Sequence, residues 1–244
     1  MKLKTTFIPK VLAVALLLFS FFSCKISSDF GEKGNGNITT EKRVVTGQFE
    51  KIQVSSGINV YVMQSDVSSV EVTVDENVQK LISTEVENGV LIVKSNEAFD
   101  TTEGVEVRVS LPTITGLKAS SGSTIKSNNT LNSKYLTVDS SSGSEIEINV
   151  ETDFISLESS SGSSIEVIGK ALKVETSSSS GSSIDAVNLI ANDIFAQSSS
   201  GSSTTVNPIL SLKGKASSGS SINYKNVPKN LEKEESSGGS VSQD

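Results

Sequence analysis

Apolar and polar residues alternate with a period of two over much of this chain. The runs "FEKIQVSSGINVYVMQ" (Phe49 to Gln64), "SVEVTVDENV" (Ser69 to Val78), "GVLIVKSN" (Gly89 to Asn96) and "VEVRVSLP" (Val105 to Pro112) each place one set of side chains on one side of an extended backbone. The same alternation returns downstream in shorter pieces. Ile146 and Ile148, Ile165 and Val167, Thr204 and Val206, and Ile222 and Tyr224 form one set of strand-like pairs. Leu136 and Val138, Leu157, Leu172 and Val174, Ile194 and Ala196, and Leu210 and Leu212 form a second set. No helical period competes, although "ENVQKLISTEVENG" (Glu76 to Gly89) leaves room for one short helix or a turn.

Between the two sets lie serine runs around a single glycine, as in "VDSSSGSEIEINV" (Val138 to Val150). A flexible Gly/Ser linker has no reason to keep a spacing, so spacing tests whether these runs are linkers or corners. Gly122, Gly143, Gly162, Gly181, Gly201 and Gly219 are separated by 21, 19, 19, 20 and 18 residues, which is a period. Each unit of about 20 residues reads as strand, Ser-rich corner, strand, second turn, and such a unit buries its apolar side only by stacking on the next. The fold expected is all-β: a parallel β-helix or β-solenoid, right-handed, with Ser-rich corners. Glycine supplies positive φ at the bend, and serines are small enough to lie inside it and to hydrogen-bond between rungs about 4.8 Å apart. On this reading Ser161 and Ser180 face the crowded inside of the bend. Ser55, Ser56 and Gly57 preview the corner, so Arg43 to Pro112 is read as the less regular beginning of the same stack, covering its first edge.

The N-terminus changes the picture of where the protein resides. Lys2, Lys4 and Lys10 precede the apolar run "VLAVALLLFSFF" (Val11 to Phe22), which is shorter than the roughly 20 residues a membrane-spanning helix needs. Residues 1–23 are therefore expected to be a signal peptide. Cys24, the single cysteine, has no disulfide partner in the chain, and its place after the apolar run resembles a bacterial lipobox, so it is the expected lipidation site. Residues 24–42 are polar and read as a flexible tether, residues 43–228 as the solenoid domain, and residues 229–244 as a polar tail or cap whose Gly238 repeats the corner spacing. The expected location is the cell envelope, as an outer-membrane lipoprotein held on the membrane through its lipid.

The residues "RVVTGQFEKIQVSSGINVYVMQSD" (Arg43 to Asp66), with Gly57-Ile58-Asn59 at their centre, followed by "EVENGVLIVKS" and the run of "SSGS" corners, resemble the putative auto-transporter adhesin, head GIN domain family. The resemblance covers Arg43 to Tyr224. It implies a secreted or lipid-anchored β-solenoid of Bacteroidetes-type bacteria and carries no catalytic residues with it.

Composition narrows the chemistry. The chain of 244 residues has 21 basic and 28 acidic side chains and a net charge of −7; without residues 1–23 the balance is 18 against 28, or −10, which argues against nucleic acid as a partner. With no histidine and one cysteine, zinc sites and histidine-based triads are excluded, and the corners lack the repeated aspartate of calcium-binding β-helices, so no metal or cofactor is expected. Outward acids (Glu145, Glu147, Glu151, Glu158, Glu166 and Asp185) suit a solvated face better than a catalytic pair. With no tryptophan and only Tyr61, Tyr135 and Tyr224, aromatic platforms for sugars are few. The expected function is a non-catalytic surface scaffold or adhesin binding a glycan or surface protein; the alternatives are a polysaccharide-active β-helix enzyme using surface carboxylates and a glycan-binding module. The expected structural residues are the corner glycines, namely Gly57, Gly122, Gly143, Gly162, Gly181, Gly201 and Gly219.

Overall fold

The computed structural model describes residues 31–244, so the signal segment and Cys24 lie outside the described residues. In chain order the strands of the N-terminal part are β1 (Glu32–Lys33), β2 (Ile38–Lys42), β3 (Lys51–Val54), β4 (Asn59–Gln64), β5 (Ser69–Asp75), β6 (Ile82–Glu87), β7 (Val90–Ser95), β8 (Phe99–Asp100) and β9 (Glu106–Leu111). The repeats contribute β10 (Gly116–Ala119), β11 (Thr124–Ser140), β12 (Glu145–Ser159), β13 (Ser164–Ser178), β14 (Ser183–Ser198), β15 (Ser203–Ala216) and β16 (Ser221–Tyr224). Finally come β17 (Asn230–Glu235) and β18 (Ser240–Gln243). The whole is a β-solenoid of about 7 stacked parallel coils of about 19 residues.

Stacking follows from the alternation. Val60, Ile125, Ile146, Ile165, Ile184, Thr204, Ile222 and Val241 pair in register from rung to rung, and Leu136, Ile155, Val174, Ile194 and Leu212 do the same in the later halves of β11 to β15. These side chains are buried, and each large aliphatic one removed from water contributes roughly 1.5–3 kcal/mol. A one-residue slip would expose a whole column, so the register is strongly specified.

The second turn expected in each unit is absent as a separate turn. Strands β11 to β15 instead run continuously from one corner to the next and bend within themselves, where the pairing shifts register between Glu166 and Ile168 and between Asp185 and Ile190. At a further bend, after Ala171 and its partner Ala191, two neighbouring residues face outward. Leu172 and Lys173 are such a pair, so Leu172 is 55% exposed although its alternation with Val174 predicted burial. Gly169 sits at a bend with φ +123°, and a Cβ there would lie 2.0 Å from the Val150 carbonyl oxygen of the rung below.

At the N-terminal end the chain order and the spatial order differ. β3 lies between β7 and β10, and β4 between β9 and β11, so the rung with the Gly57 corner is sandwiched by rungs that come later in the sequence. β5 and β6 then pair antiparallel on β9 and β7, and the segment from Glu76 to Gly89 forms one 3₁₀ turn at Gln79–Leu81 followed by β6. The flexible tether expected over 24–42 is corrected for its described part: β2 pairs antiparallel with β5, and β1 pairs with β8.

A buried carboxylate fixes this segment. Asp75 accepts from the Thr102 amide at 3.0 Å, the Thr102 hydroxyl at 2.9 Å and the Gly36 amide at 2.6 Å. Those hydrogen bonds, the Thr102 amide first, hold its carboxyl below the usual range. Arg43 donates to the Gln79 side chain at 2.7 Å, and Gln79 in turn donates to the backbone oxygens of Thr39 and Val72.

At the other end, residues 230–243 form a further strand, corner and strand on β15 and β16 rather than a loose tail. The inward positions of β17 carry Leu231, Lys233 and Glu235 where earlier rungs carry apolar or small residues. Lys233 donates to the Val241 carbonyl at 2.7 Å and lies over the Tyr224 ring, while Glu235 accepts from the Val241 amide. Charge thus covers the core beyond β15 and β16, and inward-pointing charges of this kind discourage a sheet edge from pairing further.

Candidate interaction surface

Each corner has five places. In the Gly162 corner, Ser159 and Ser163 point inward and are buried, Ser160 is half-buried, and Ser161 and Gly162 are exposed. The exposed serine and the glycine both have positive φ, 55° and 70° here, as in a type I′ turn, and the Ser163 amide donates back to the Ser160 carbonyl at 3.3 Å. The glycines expected as corner residues, Gly57, Gly122, Gly143, Gly162, Gly181, Gly201 and Gly219, have φ between 68° and 72°, and Gly238 joins them at 76°. None would meet another atom within 4 Å through an added Cβ, so the backbone conformation, and not crowding, calls for glycine.

The expectation that Ser161 and Ser180 lie inside the bend is corrected. Both face solvent, because the left-handed residue of a tight turn points its side chain away from the coil. The inside places belong to the serines two positions before and after them. The Ser163 hydroxyl accepts from the Ser160 amide at 3.1 Å and lies 2.7 Å from the Ser140 carbonyl of the preceding rung, to which it donates. Ser144, Ser182, Ser202 and Ser220 repeat this bridge at 2.7–3.0 Å. The glycine amide of each corner donates to the carbonyl of the exposed serine in the next corner, from Gly122 to Ser142 through Gly219 to Ser237. Near the C-terminal end Ser178, Ser198, Ser202 and Thr204 form a buried cluster with oxygen separations of 2.8–3.0 Å. The corner is therefore a structural rail whose inward hydroxyls are occupied.

Two outward faces flank the rail. On the face after the corner, Glu147, Glu166 and Asp185 stand in one column. Glu147 pairs with Lys126 at 2.8 Å, and this bond chiefly raises the Lys126 pKa. Asp185 accepts from the Thr205 hydroxyl and the Val187 amide. Glu147 and Asp185 are spent on their own neighbours, and among the described residues no group of three or more His, Cys, Asp or Glu could hold a metal ion. Glu151 lies at the bend and Glu158 on the opposite face, so the acids singled out in the sequence do not converge.

The face before the corner is more varied. Tyr135 pairs in register with Phe154 and Phe154 with Lys173, with ring centroids 6.0 Å apart and the Lys173 ammonium 5.4 Å from the Phe154 centroid. Further along the same face a shallow depression of about 250 Å³ is lined by Lys51 and Lys118, Thr137 and Ser156, and Asp139 and Glu158; the two rings lie outside its lining. Tyr135 was one of three scattered tyrosines in the sequence; the signal for its site is the 19-residue separation from Phe154, one coil of the repeat.

The family model described as "Putative auto-transporter adhesin, head GIN domain" matches residues 48–228. No curated protein matches the chain. Among solved structures, a putative adhesin from Bacteroides fragilis NCTC 9343 is similar at 20% identity and TM-score 0.82, over 88% of this chain and 100% of that one. A putative adhesin from Parabacteroides merdae ATCC 43184 is similar at 20% identity and TM-score 0.70, over 87% and 98%. A protein from Parabacteroides distasonis ATCC 8503 named as a putative lipid binding protein is similar at 19% identity and TM-score 0.72, over 87% and 98%. At these identities the likeness is one of fold.

Proposed function

Because the chain belongs to the putative auto-transporter adhesin, head GIN domain family, we propose that it is a non-catalytic cell-envelope protein whose stacked β-surface makes adhesive contacts. The observation that carries this reading is the register of the outward columns. A rigid face that presents equivalent positions at each rung, about 4.8 Å apart, offers several weak contacts at once, and linked weak contacts gain avidity without any single strong one. The names of the two adhesin-like neighbours agree with a surface role. The carboxylate column supports this reading over a polysaccharide-cleaving one, since Glu147 and Asp185 are held by their own neighbours and not aimed at a shared point.

The membrane attachment proposed with it runs through an acylated Cys24. Mass spectrometry of the mature protein should find the lipid, and Cys24→Ser should move the protein from the membrane to the soluble fraction. A Cys24→Ser form that stays membrane-bound, with no lipid mass on the wild type, would remove the anchor. Bacteria lacking the protein should adhere less to host cell layers and matrix than bacteria carrying it. Equal adhesion, or turnover of a polysaccharide abolished by one Asp or Glu substitution, would overturn the adhesive reading.

A further inference from the structure

We propose that two rungs of the face before the corner form a binding site for a neutral oligosaccharide, laid along the solenoid axis with one sugar on each rung. The inference rests on the adhesive reading above and names its ligand class. β11 presents Tyr135, Thr137 and Asp139 outward, and β12 presents Phe154, Ser156 and Glu158 at the paired positions. The same triplet of aromatic ring, hydroxyl and carboxylate is therefore displayed twice, in register, one rung apart. The rungs on either side break it: β10 has Gly116 and Lys118, and β13 has Lys173, Glu175 and Ser177.

Each member suits one part of a sugar. Tyr135 is 69% exposed, an unusual setting for a large ring, and it leans on Phe154 with ring centroids 6.0 Å apart. Such an amphipathic ring, with only two side-chain torsions to fix, can stack on the apolar C–H face of a pyranose at small entropic loss. The Thr137 and Ser156 hydroxyls line the 250 Å³ depression; Thr137 donates to the Thr115 carbonyl at 3.3 Å and is left to accept, whereas Ser156 can donate and accept. The carboxylates accept from sugar hydroxyls. Lys118 holds Asp139 at 2.7 Å and so orients it, whereas Glu158 makes no ion pair among the described residues. Few convergent polar groups beside an apolar wall are the usual make-up of a small-molecule site. Lys118 pairs with Asp139 and Lys173 with Glu175, and the remaining Lys51 and Glu158 are of opposite sign, so the charges at the site cancel, which suits a neutral chain.

The test is a titration of the isolated full chain, followed by amide NMR shifts, with neutral β-glucan and galactan tetrasaccharides and with an acidic hyaluronan tetrasaccharide as control. The result expected is a set of shifts on β11 and β12 with at least one neutral probe and none with hyaluronan. Tyr135→Ala should weaken that binding at least fivefold, Tyr135→Phe should retain it, and Tyr61→Ala on the other face should leave it unchanged. No shift with any neutral probe, or equal affinity in Tyr135→Ala, would overturn the site. No cells are involved, so the titration stands apart from the adhesion assay. A wild type that promotes adhesion but binds no neutral sugar overturns this site alone, and sugar binding that depends on Tyr135 supports it even where cells fail to adhere.

Discussion

Serine does two different jobs within five residues of each corner. At the exposed place it accepts positive φ, at an energetic disadvantage relative to glycine, and its hydroxyl faces water. At the last place it is buried, and its hydroxyl joins an amide of its own corner to a carbonyl of the rung before. Removing that hydroxyl leaves buried groups less well satisfied, so Ser163→Ala should lower stability by about 0.5–1.5 kcal/mol, whereas Ser161→Ala should stay within about 0.5 kcal/mol. Urea denaturation of the two variants checks this, and equal losses would place both serines in one environment. The sequence showed the corner because glycine and serine requirements are local. It did not show which serine turns inward, because a run of identical residues carries no alternation to read.

Elements that follow their local pattern were legible, and those placed by distant partners were not. β2 is polar on both sides, "ITTEK", and nothing in it marks an apolar face, so its pairing with β5 had no signature. The insertion of β3 between β7 and β10 is equally nonlocal, since pairing partners far apart in a chain leave no spacing to measure. The candidate sugar site was hidden for a similar reason: its two triplets are ordinary alternation until stacking brings them side by side. Asp75 is the residue that ties the N-terminal elements together. Its carboxyl pKa is depressed in the fold, so the stability it contributes is present above the unfolded value of about 3.9 and is lost as pH falls through the lower folded value. Thermal melts of the wild type should fall below about pH 4 more steeply than those of Asp75→Asn, which should already be less stable at neutral pH. Parallel melting curves for the two across the acid range would show that Asp75 carries no such linkage.

For the molecule as a whole, the two ends matter more than any middle rung. The middle rungs are covered by apolar rungs on both sides, whereas β15 and β16 are covered by β17, whose inward positions carry Lys233 and Glu235, and by β18. Truncation after residue 229 would remove β17 and β18, uncover Tyr224 and the edges of β15 and β16, and take away Lys233 and Glu235. The truncated chain should form larger assemblies than the full chain under the same conditions, as measured by light scattering on a sizing column. An unchanged mass and an unchanged melting temperature would mean that the charged rung guards nothing.

The hydroxyl bridge from each corner to the one before it also bears on how such a chain can change over generations. Since the bridge, the glycine rail and the inward columns all join a rung to its immediate neighbours, a middle rung makes the same bonds upward that its predecessor makes. Excision or duplication of one period in the gene, such as the 19 residues from Ser164 to Ser182, would bring matching surfaces together and leave both ends untouched. The lineage can thus lengthen or shorten this protein in steps of one coil, and a gain or loss of reach need not wait for new packing to evolve.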